Sequence, residues 1–150
     1  MLIPLAVIDA VGGMDAGLFI DNVDLEWSFR MRAASYVLLG VCDARMQHRL
    51  GDARRHVPGM PRGVVVHPPL RLYYMMRNRV LLYRLPHVPC VWVAQDVPRV
   101  LVKLFVVRGV LIGPRRRNLR CMLRGLWDGS RGRRGPAPGD VMEQASQGTV

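Results

Sequence analysis

The sequence has little cysteine and few aromatic residues. Its three cysteines, Cys42, Cys90 and Cys121, lie far apart and form no C-x-x-C pair, so the pattern supports neither a zinc site nor a disulfide framework. A reduced, cytosolic compartment is therefore expected. Aromatic residues make up 7% of the chain, and no RRM, KH, zinc-finger or helix-turn-helix pattern occurs. The sequence thus argues against a nucleic-acid-binding domain.

Long apolar runs are missing as well. No stretch reaches the roughly 18 apolar residues that a membrane-spanning helix requires, since the nearest candidate, 97–113, contains Pro98, Lys103 and Arg108. The opening stretch MLIPLAVIDAVGG is apolar but has no lysine or arginine, which is not typical of a secretory signal peptide. We expect neither a membrane span nor a cleaved leader.

Positive charge, in contrast, is abundant and comes almost entirely from arginine. The 150 residues carry a formal net charge of +11, with Lys103 as the single lysine. Such a balance predicts an anionic partner, such as nucleic acid, an anionic lipid surface or a phosphate-bearing substrate. Residues 115–131 alternate arginines with large apolar residues. This pattern favours an anionic membrane surface, although a simply solvated charged face is the alternative.

The apolar spacing predicts an α/β fold with a helical second part. Helices are expected over 4–11, 22–34 and 69–85, and strands over 36–41 and 44–48. Residues 49–68 are predicted to form a loop, and 95–131 to contain two basic amphipathic segments. We predict three parts: a first part over 1–68, a basic helical region over 69–131 and, by composition, a disordered tail over 132–150.

Four acidic residues stand close together in this basic chain: Asp15, Asp21, Asp24 and Glu26. Asp21 is the predicted N-cap of the second helix, with Asp24 in its first turn. A carboxylate held ionised there by the helix dipole could accept a proton from a hydroxyl nucleophile. The alternative is that both acids only cap the helix.

Two further groups could carry chemistry. His48 follows the second predicted strand and could ligate a divalent metal or contact a phosphate, although a lone histidine is often only a surface residue. Tyr73, Tyr74, Arg77 and Asn78 could hold a sugar or a phosphate. Packing of the tyrosines in the core, with the arginine reaching toward solvent, is the simpler interpretation.

The stretch GGMDAGLFIDNVDLEWSFRMRAASY, 12–36, resembles the acceptor-side motif of family-two glycosyltransferases with a GT-A fold. In that family a GGFDE-x-FF turn leads to a Glu-Asp pair and then to a helix ending in R-x-x-x-x-G-Y. The bacterial rhamnosyltransferase branch, with FID-x-VD-x-EW-x-x-R, is most similar; Asp21, Asp24, Glu26, Trp27 and Arg30 all fit it. The later stretches DARMQHRLGD, HPPLRLYYMMRN and MLRGLWDGSRGRRG resemble that branch too.

The resemblance implies a role for each matching residue. Asp24 would be the general base, while Gly13, Asp21, Trp27 and His48 would bind substrates, and His48 would also be a candidate metal ligand. The donor would be a dTDP-sugar, dTDP-L-rhamnose for this branch. The acceptor would be a lipid-linked glycan used in cell-surface polysaccharide synthesis such as that of O-antigen. A divalent metal, Mg or Mn, and a peripheral position on the inner face of the cell membrane would be expected.

The chain also departs from the family pattern. Ala16 stands where glutamate is usual, Ser28 where cysteine is common and Ser35 where glycine is expected. No Asp-x-Asp or G-x-G-x-x-G motif occurs, so the resemblance implies an incomplete GT-A-like fold that lacks the N-terminal nucleotide-binding half. Such a chain would come from a truncated or split gene or a misplaced start codon. It would be inactive unless that half is supplied separately.

Overall fold

The computed structural model describes residues 2–44, 54–57, 60–102 and 113–146. This part of the chain is mostly helical, with one short β-hairpin between the second and third α-helices. The elements are α1 (Leu5–Val11), a 3-10 helix (Ala16–Leu18), α2 (Val23–Ala33), β1 (Arg54–Val57), β2 (Met60–Val65), α3 (Pro69–Tyr83), α4 (Cys90–Val100), α5 (Arg115–Ser130) and α6 (Gly139–Ser146).

The predicted α/β architecture is wrong for the described residues. Residues 36–41 form no strand, because an extended segment needs a neighbouring strand to hydrogen-bond with, and none of the described strands pairs with it. Strands occur instead inside the predicted loop 49–68, where β1 and β2 pair antiparallel, with Arg54 opposite Val65 and Val57 opposite Met60. The predicted strand 44–48 lies, apart from Ala44, outside the described residues.

The helix predictions agree better with the structure. α1 begins directly after Pro4 and ends at Gly12, whose φ of 84° lies in the left-handed region that glycine tolerates. α2 ends before Ser35, which has a φ of 66°. α3 begins at Pro69, where its missing N–H costs no helical hydrogen bond. The predicted helices 4–11, 22–34 and 69–85 are therefore confirmed to within two residues at either end.

α3 lies at the centre of the packing and contributes to three apolar clusters. Near its start, Leu72 and Met76 pack with Met122 of α5 and Val100 of α4. Near its end, Leu81 and Leu82 pack with residues of the 3-10 helix and α2, namely Leu18 and Phe29. The third cluster joins Tyr73 and Tyr74 to α5 and to the start of α6.

The predicted disordered tail is wrong for the residues described up to 146. Ala137 and Val141 are 4% and 1% exposed, and the backbone N–H of Ala137 donates to Tyr74 Oη at 2.6 Å. Val141 lies on α6, which follows Gly135, Pro136 and Pro138. The composition predicted disorder because glycine and proline are frequent in this segment, whereas the short helix α6 contributes one buried apolar residue, Val141.

Tyr73 also forms a buried polar link between α3 and α5. Its hydroxyl donates to Asp128 Oδ2 at 2.8 Å, and Asp128 is 2% exposed. Burial, reinforced by this carboxylate, raises the pKa of Tyr73 to about 12. A second link joins α3 to α4, where Tyr83 Oη and Arg79 Nε both donate to Asp96 Oδ2, at 2.7 and 2.9 Å.

Two glycines let α5 approach the backbone of α3. A Cβ atom built on Gly125 would collide with the carbonyl oxygen of Tyr73, and one on Gly129 would lie 2.7 Å from the carbonyl oxygen of Arg77. The two glycines are four residues apart, so they share one face of α5. Because neither glycine has a side chain, this face of α5 can pack directly against the backbone of α3.

We predict that Gly125→Ala lowers the free energy of unfolding by about 1–3 kcal/mol, because the new methyl group forces the two helix backbones apart. The matched control is Gly139→Ala in α6, where a Cβ would meet no atom within 4 Å. Urea unfolding followed by circular dichroism measures both. Equal stability of the Gly125 variant and the wild type would contradict the close packing of α3 on α5.

Candidate active site

The turn before α2 has an unusual backbone. Phe19, Asp21 and Asn22 all have positive φ angles, of 65°, 64° and 63°. Non-glycine residues rarely adopt this region, and each such residue costs about 1 kcal/mol or more, so surrounding contacts must hold the turn in place. Asn22, and not Asp21, is the N-cap of α2, and it makes no side-chain cap hydrogen bond. The prediction that Asp21 caps this helix is therefore wrong.

Asn78 of α3 supplies the main contacts that hold the turn. Its side-chain nitrogen lies 3.0, 2.6 and 2.8 Å from the carbonyl oxygens of Leu18, Ile20 and Asp21. An amide has only two N–H groups, so the three acceptors share them. Asn78 is 0% exposed, and solvent cannot replace these hydrogen bonds. The amide therefore fixes the path of the chain into α2.

Arg77, the residue before Asn78, also donates a hydrogen bond to the same turn. It is 0% exposed, and its guanidinium donates to the carbonyl oxygens of Leu18 at 2.9 Å and Gly135 at 2.5 Å. The guanidinium carbon also lies 4.9 Å from the centre of the Tyr74 ring. Core packing of the tyrosines is confirmed, but the arginine is buried and does not reach toward solvent.

Asp21 is held by an arginine of α3. The Nε atom of Arg71 lies 3.1 Å from Asp21 Oδ2, and its Nη2 lies 3.2 Å from Oδ1, a two-point contact that fixes both planar groups. The Asp21 side chain is 15% exposed. The carboxylate therefore reaches the surface of the protein, but its charge is already matched by the arginine.

Glu26 is a buried carboxylate that contacts Arg30 and His87. Its side chain is 3% exposed, and both of its oxygens accept hydrogen bonds from Arg30, at 3.1 and 2.9 Å. His87, in the turn between α3 and α4, places Nε2 2.9 Å from Glu26 Oε1. This carboxylate is fully engaged and serves to join α2 to that turn.

Trp27 and Arg30 connect α2 to the end of α1. Trp27 Nε1 donates to the carbonyl oxygen of Gly12 at 2.8 Å. Arg30 donates through Nη1 to the carbonyl oxygen of Val11 at 3.0 Å and through Nη2 to the carbonyl oxygen of Gly13 at 2.8 Å. Carbonyl groups at a helix C-terminus lack partners inside the helix, so these side chains cap α1. Because the Trp27 side chain is 1% exposed, we infer that it positions the site rather than contacting a substrate.

Asp15 is paired as well. Its Oδ1 accepts from the backbone N–H of Gly17 at 2.8 Å, and its Oδ2 accepts from Arg134, which belongs to the segment between α5 and α6. Three of the four crowded acids are thus neutralised by arginines of other parts of the structure or of the same helix. Their crowding is compatible with folding because the guanidinium groups offset the repulsion between the carboxylates.

Asp24 is the exception among the four acids. It is exposed in the first turn of α2, and within the described part of the chain no ion pair or hydrogen bond involves its carboxylate; only its backbone carbonyl accepts, from Ser28 Oγ at 2.7 Å. An unpaired carboxylate can still accept a proton. Asp24 is therefore the acid of this group that has the freedom a general base requires.

The remaining predicted site residues are placed differently. Gly13 is exposed with open space around its Cα, next to the junction of α1 and α2. His48 lies outside the described residues. No group of three or more histidine, cysteine, aspartate or glutamate side chains in the described ranges could hold a metal ion. The described residues thus do not by themselves fit the divalent metal that the resemblance implies.

Three residues that shape the site were not singled out from the sequence: Arg71, His87 and Arg134. Arg77 and Asn78 were singled out, but as possible ligands of a sugar or a phosphate and not as the residues that hold the turn. The signal available was the pair Arg77-Asn78 within the apolar run of α3, since buried polar groups require partners. Ion-pair partners such as those of Asp21 and Asp15 could not be predicted from neighbouring sequence, because Arg71 lies 50 positions from Asp21 and Arg134 lies 119 positions from Asp15.

Comparison with known proteins supports a relationship to rhamnosyltransferases. Over 91 residues the chain is 37% identical to the dTDP-rhamnosyl transferase RfbF of Shigella flexneri. The matched residues make up 61% of this chain and 30% of that protein, so the chain spans less than a third of the relative's length. No protein-family model matches the sequence, and no solved structure gives a significant match.

We predict that Asn78→Ala lowers the free energy of unfolding by about 2–3 kcal/mol, because it leaves buried carbonyl oxygens of the turn without donors. Ser28→Ala, which removes one exposed hydrogen bond of α2, is the control and should change stability by about 0.5 kcal/mol or less. Chemical denaturation of both variants measures this. If the two variants lost equal stability, Asn78 would not be what holds the turn.

Proposed function

We propose that this chain provides the acceptor-side part of a glycosyltransferase that transfers a deoxysugar, L-rhamnose from dTDP-L-rhamnose, to a glycan acceptor. The observation that carries the proposal is Asp24 at the start of α2, whose carboxylate has no ion pair or hydrogen bond among the described residues, whereas Asp15, Asp21 and Glu26 are each paired. The similarity to a dTDP-rhamnosyl transferase supports the class of reaction. The alternative, a small basic membrane- or nucleic-acid-associated protein without enzymatic activity, is not favoured.

The backbone supports the same assignment. The resemblance places a glycine where this chain has Ser35, and Ser35 has a φ of 66°, a conformation that glycine adopts at little cost. The hydrogen bonds from Tyr36 N–H to the Met31 carbonyl and from Ser35 N–H to the Arg32 carbonyl close the helix in the way that usually requires a left-handed residue. The family's glycine position thus falls where the backbone favours glycine.

In the proposed reaction Asp24 accepts the proton of an acceptor hydroxyl group. The hydroxyl oxygen then attacks the anomeric carbon of the donor sugar, a new C–O bond forms with inversion, and the bond to the diphosphate breaks, so that dTDP leaves. Proton acceptance by a positioned carboxylate contributes about 10²–10⁴-fold to such a rate. Asp21, fixed by Arg71, and the exposed backbone at Gly13 would lie beside the acceptor.

The donor and its leaving group require residues beyond those assigned here. We propose that a nucleotide-binding portion binds the dTDP-sugar and that the acceptor is a lipid-linked glycan at the inner face of the cell membrane. Within the described ranges no helix combines the length and apolar character needed to cross a bilayer. We assign the divalent metal no ligand among the described residues, and His48 remains a ligand by resemblance alone.

We predict that Asp24→Asn lowers kcat at least about a hundredfold with little change in the KM for dTDP-rhamnose, because the amide cannot take the proton. The assay uses a chimera in which this chain replaces the segment it matches in the Shigella flexneri transferase, with transfer of rhamnose as the readout.

The matched control is Asp9→Asn, which changes another exposed aspartate on the neighbouring helix α1. It should retain the activity of the unmodified chimera. An active chimera in which the Asp24 and Asp9 variants behave alike would remove Asp24 from the mechanism.

A further inference from the structure

A basic cleft lies at the opposite end of the sequence from the site described above. It has a volume of about 550 Å³ and is lined by Arg115, Arg116, Arg117 and Arg120 of α5 and by Gln144 of α6. We call this cavity the arginine cleft. Its lining includes no acidic side chain.

The four arginines differ from several others in the described structure. Arg30, Arg71, Arg79, Arg124 and Arg134 all form ion pairs with carboxylates. Among the described residues, no carboxylate pairs with any arginine of the arginine cleft. Four arginines therefore line one cavity, and no carboxylate in the described part of the chain neutralises them.

Their position also opposes the electrostatics of the helix. Arg115, Arg116 and Arg117 occupy the first turn of α5, which contains no acidic residue. The N-terminus of a helix carries a partial positive charge and favours anions, so cations there are repelled by the helix end. Arg116 and Arg120, four residues apart, also form a like-charge pair on one face of α5. An anion bound in the arginine cleft would relieve both repulsions at once.

We propose that the arginine cleft binds a phosphate or diphosphate group. Guanidinium groups match phosphate oxygens with paired hydrogen bonds and stay charged at any physiological pH, and the amide of Gln144 adds a neutral donor from a second helix. The cavity is large compared with a single water molecule, whose share of liquid volume is about 30 Å³. The group could belong to a soluble diphosphate or to a lipid headgroup, and the binding chemistry is the same for both.

The test uses sodium pyrophosphate and the full chain, with isothermal titration calorimetry at constant ionic strength so that general screening is equal in all samples. The wild type should show saturable binding, and the triple variant R115Q/R116Q/R120Q should bind at least tenfold more weakly. R99Q, which alters an exposed arginine of α4, should bind as the wild type does. No saturable binding by the wild type, or equal binding by the triple variant, would overturn the proposal.

A thermal unfolding series separates lost binding from lost folding. Without pyrophosphate, the triple variant should melt at the wild-type temperature or above it, because cations have been removed from the start of α5. With pyrophosphate, the melting temperature should rise for the wild type and for R99Q but not for the triple variant. If the triple variant fails to fold, the single variant R116Q should show a partial loss of pyrophosphate affinity, and unchanged affinity would count against the arginine cleft.

A vesicle arm distinguishes the two sources of phosphate. Sedimentation with phosphatidylcholine vesicles, with and without phosphatidylglycerol, is measured in the presence and absence of pyrophosphate. Binding to the anionic vesicles that pyrophosphate displaces and the triple variant loses assigns the group to a lipid headgroup. Pyrophosphate binding without vesicle binding assigns it to a soluble ligand. Vesicle binding that pyrophosphate does not displace, and that the triple variant keeps, would overturn the proposal.

Discussion

The hydrogen bonds from Asn78 and Arg77 to the turn before α2 are the interactions on which the candidate site depends. Both side chains are 0% exposed, and together they hold the carbonyl oxygens of Leu18, Ile20 and Asp21. Without them, a turn with three positive φ angles would relax to a commoner conformation. The direction of α2, and with it the position of Asp24, follows from where α3 places these two residues.

This arrangement also explains why acidic residues can crowd in a basic protein. The arginines that pair with Asp15, Asp21 and Glu26 fix the turn and the helix start. Of these four acids Asp24 alone is exposed and has no ion pair within the described part of the chain. The arginines of the arginine cleft, in contrast, have no carboxylate partner among the residues that the structure describes. Asp24 near one end of the described sequence and the arginine cleft near the other thus carry opposite charges, and we propose that the first accepts a proton and the second binds an anion.

Much of the local structure was predictable from the sequence, and little of the long-range structure was. The helices α1, α2 and α3 follow from apolar spacing and from Pro4, Gly12 and Pro69, and Asp24 was predicted to lie in the first turn of α2. The predicted strand over 36–41 was wrong because apolar residues favour a strand only where a neighbouring strand can pair with it. The described residues supply no such neighbour. The partners of Asp21 and Asp15 were beyond prediction because they lie far away in sequence.

The most direct test of this account is a double-mutant cycle between Asn78 and Asp24, measured as kcat for rhamnose transfer in the active chimera. If Asn78 acts by positioning Asp24, Asn78→Ala should lower kcat in the wild-type background. It should then cause no further loss when Asp24 is already asparagine, because residues that act as one unit are not additive. Independent losses that multiply in the double variant would contradict the claim that the buried amide of α3 positions the carboxylate that we propose as the general base.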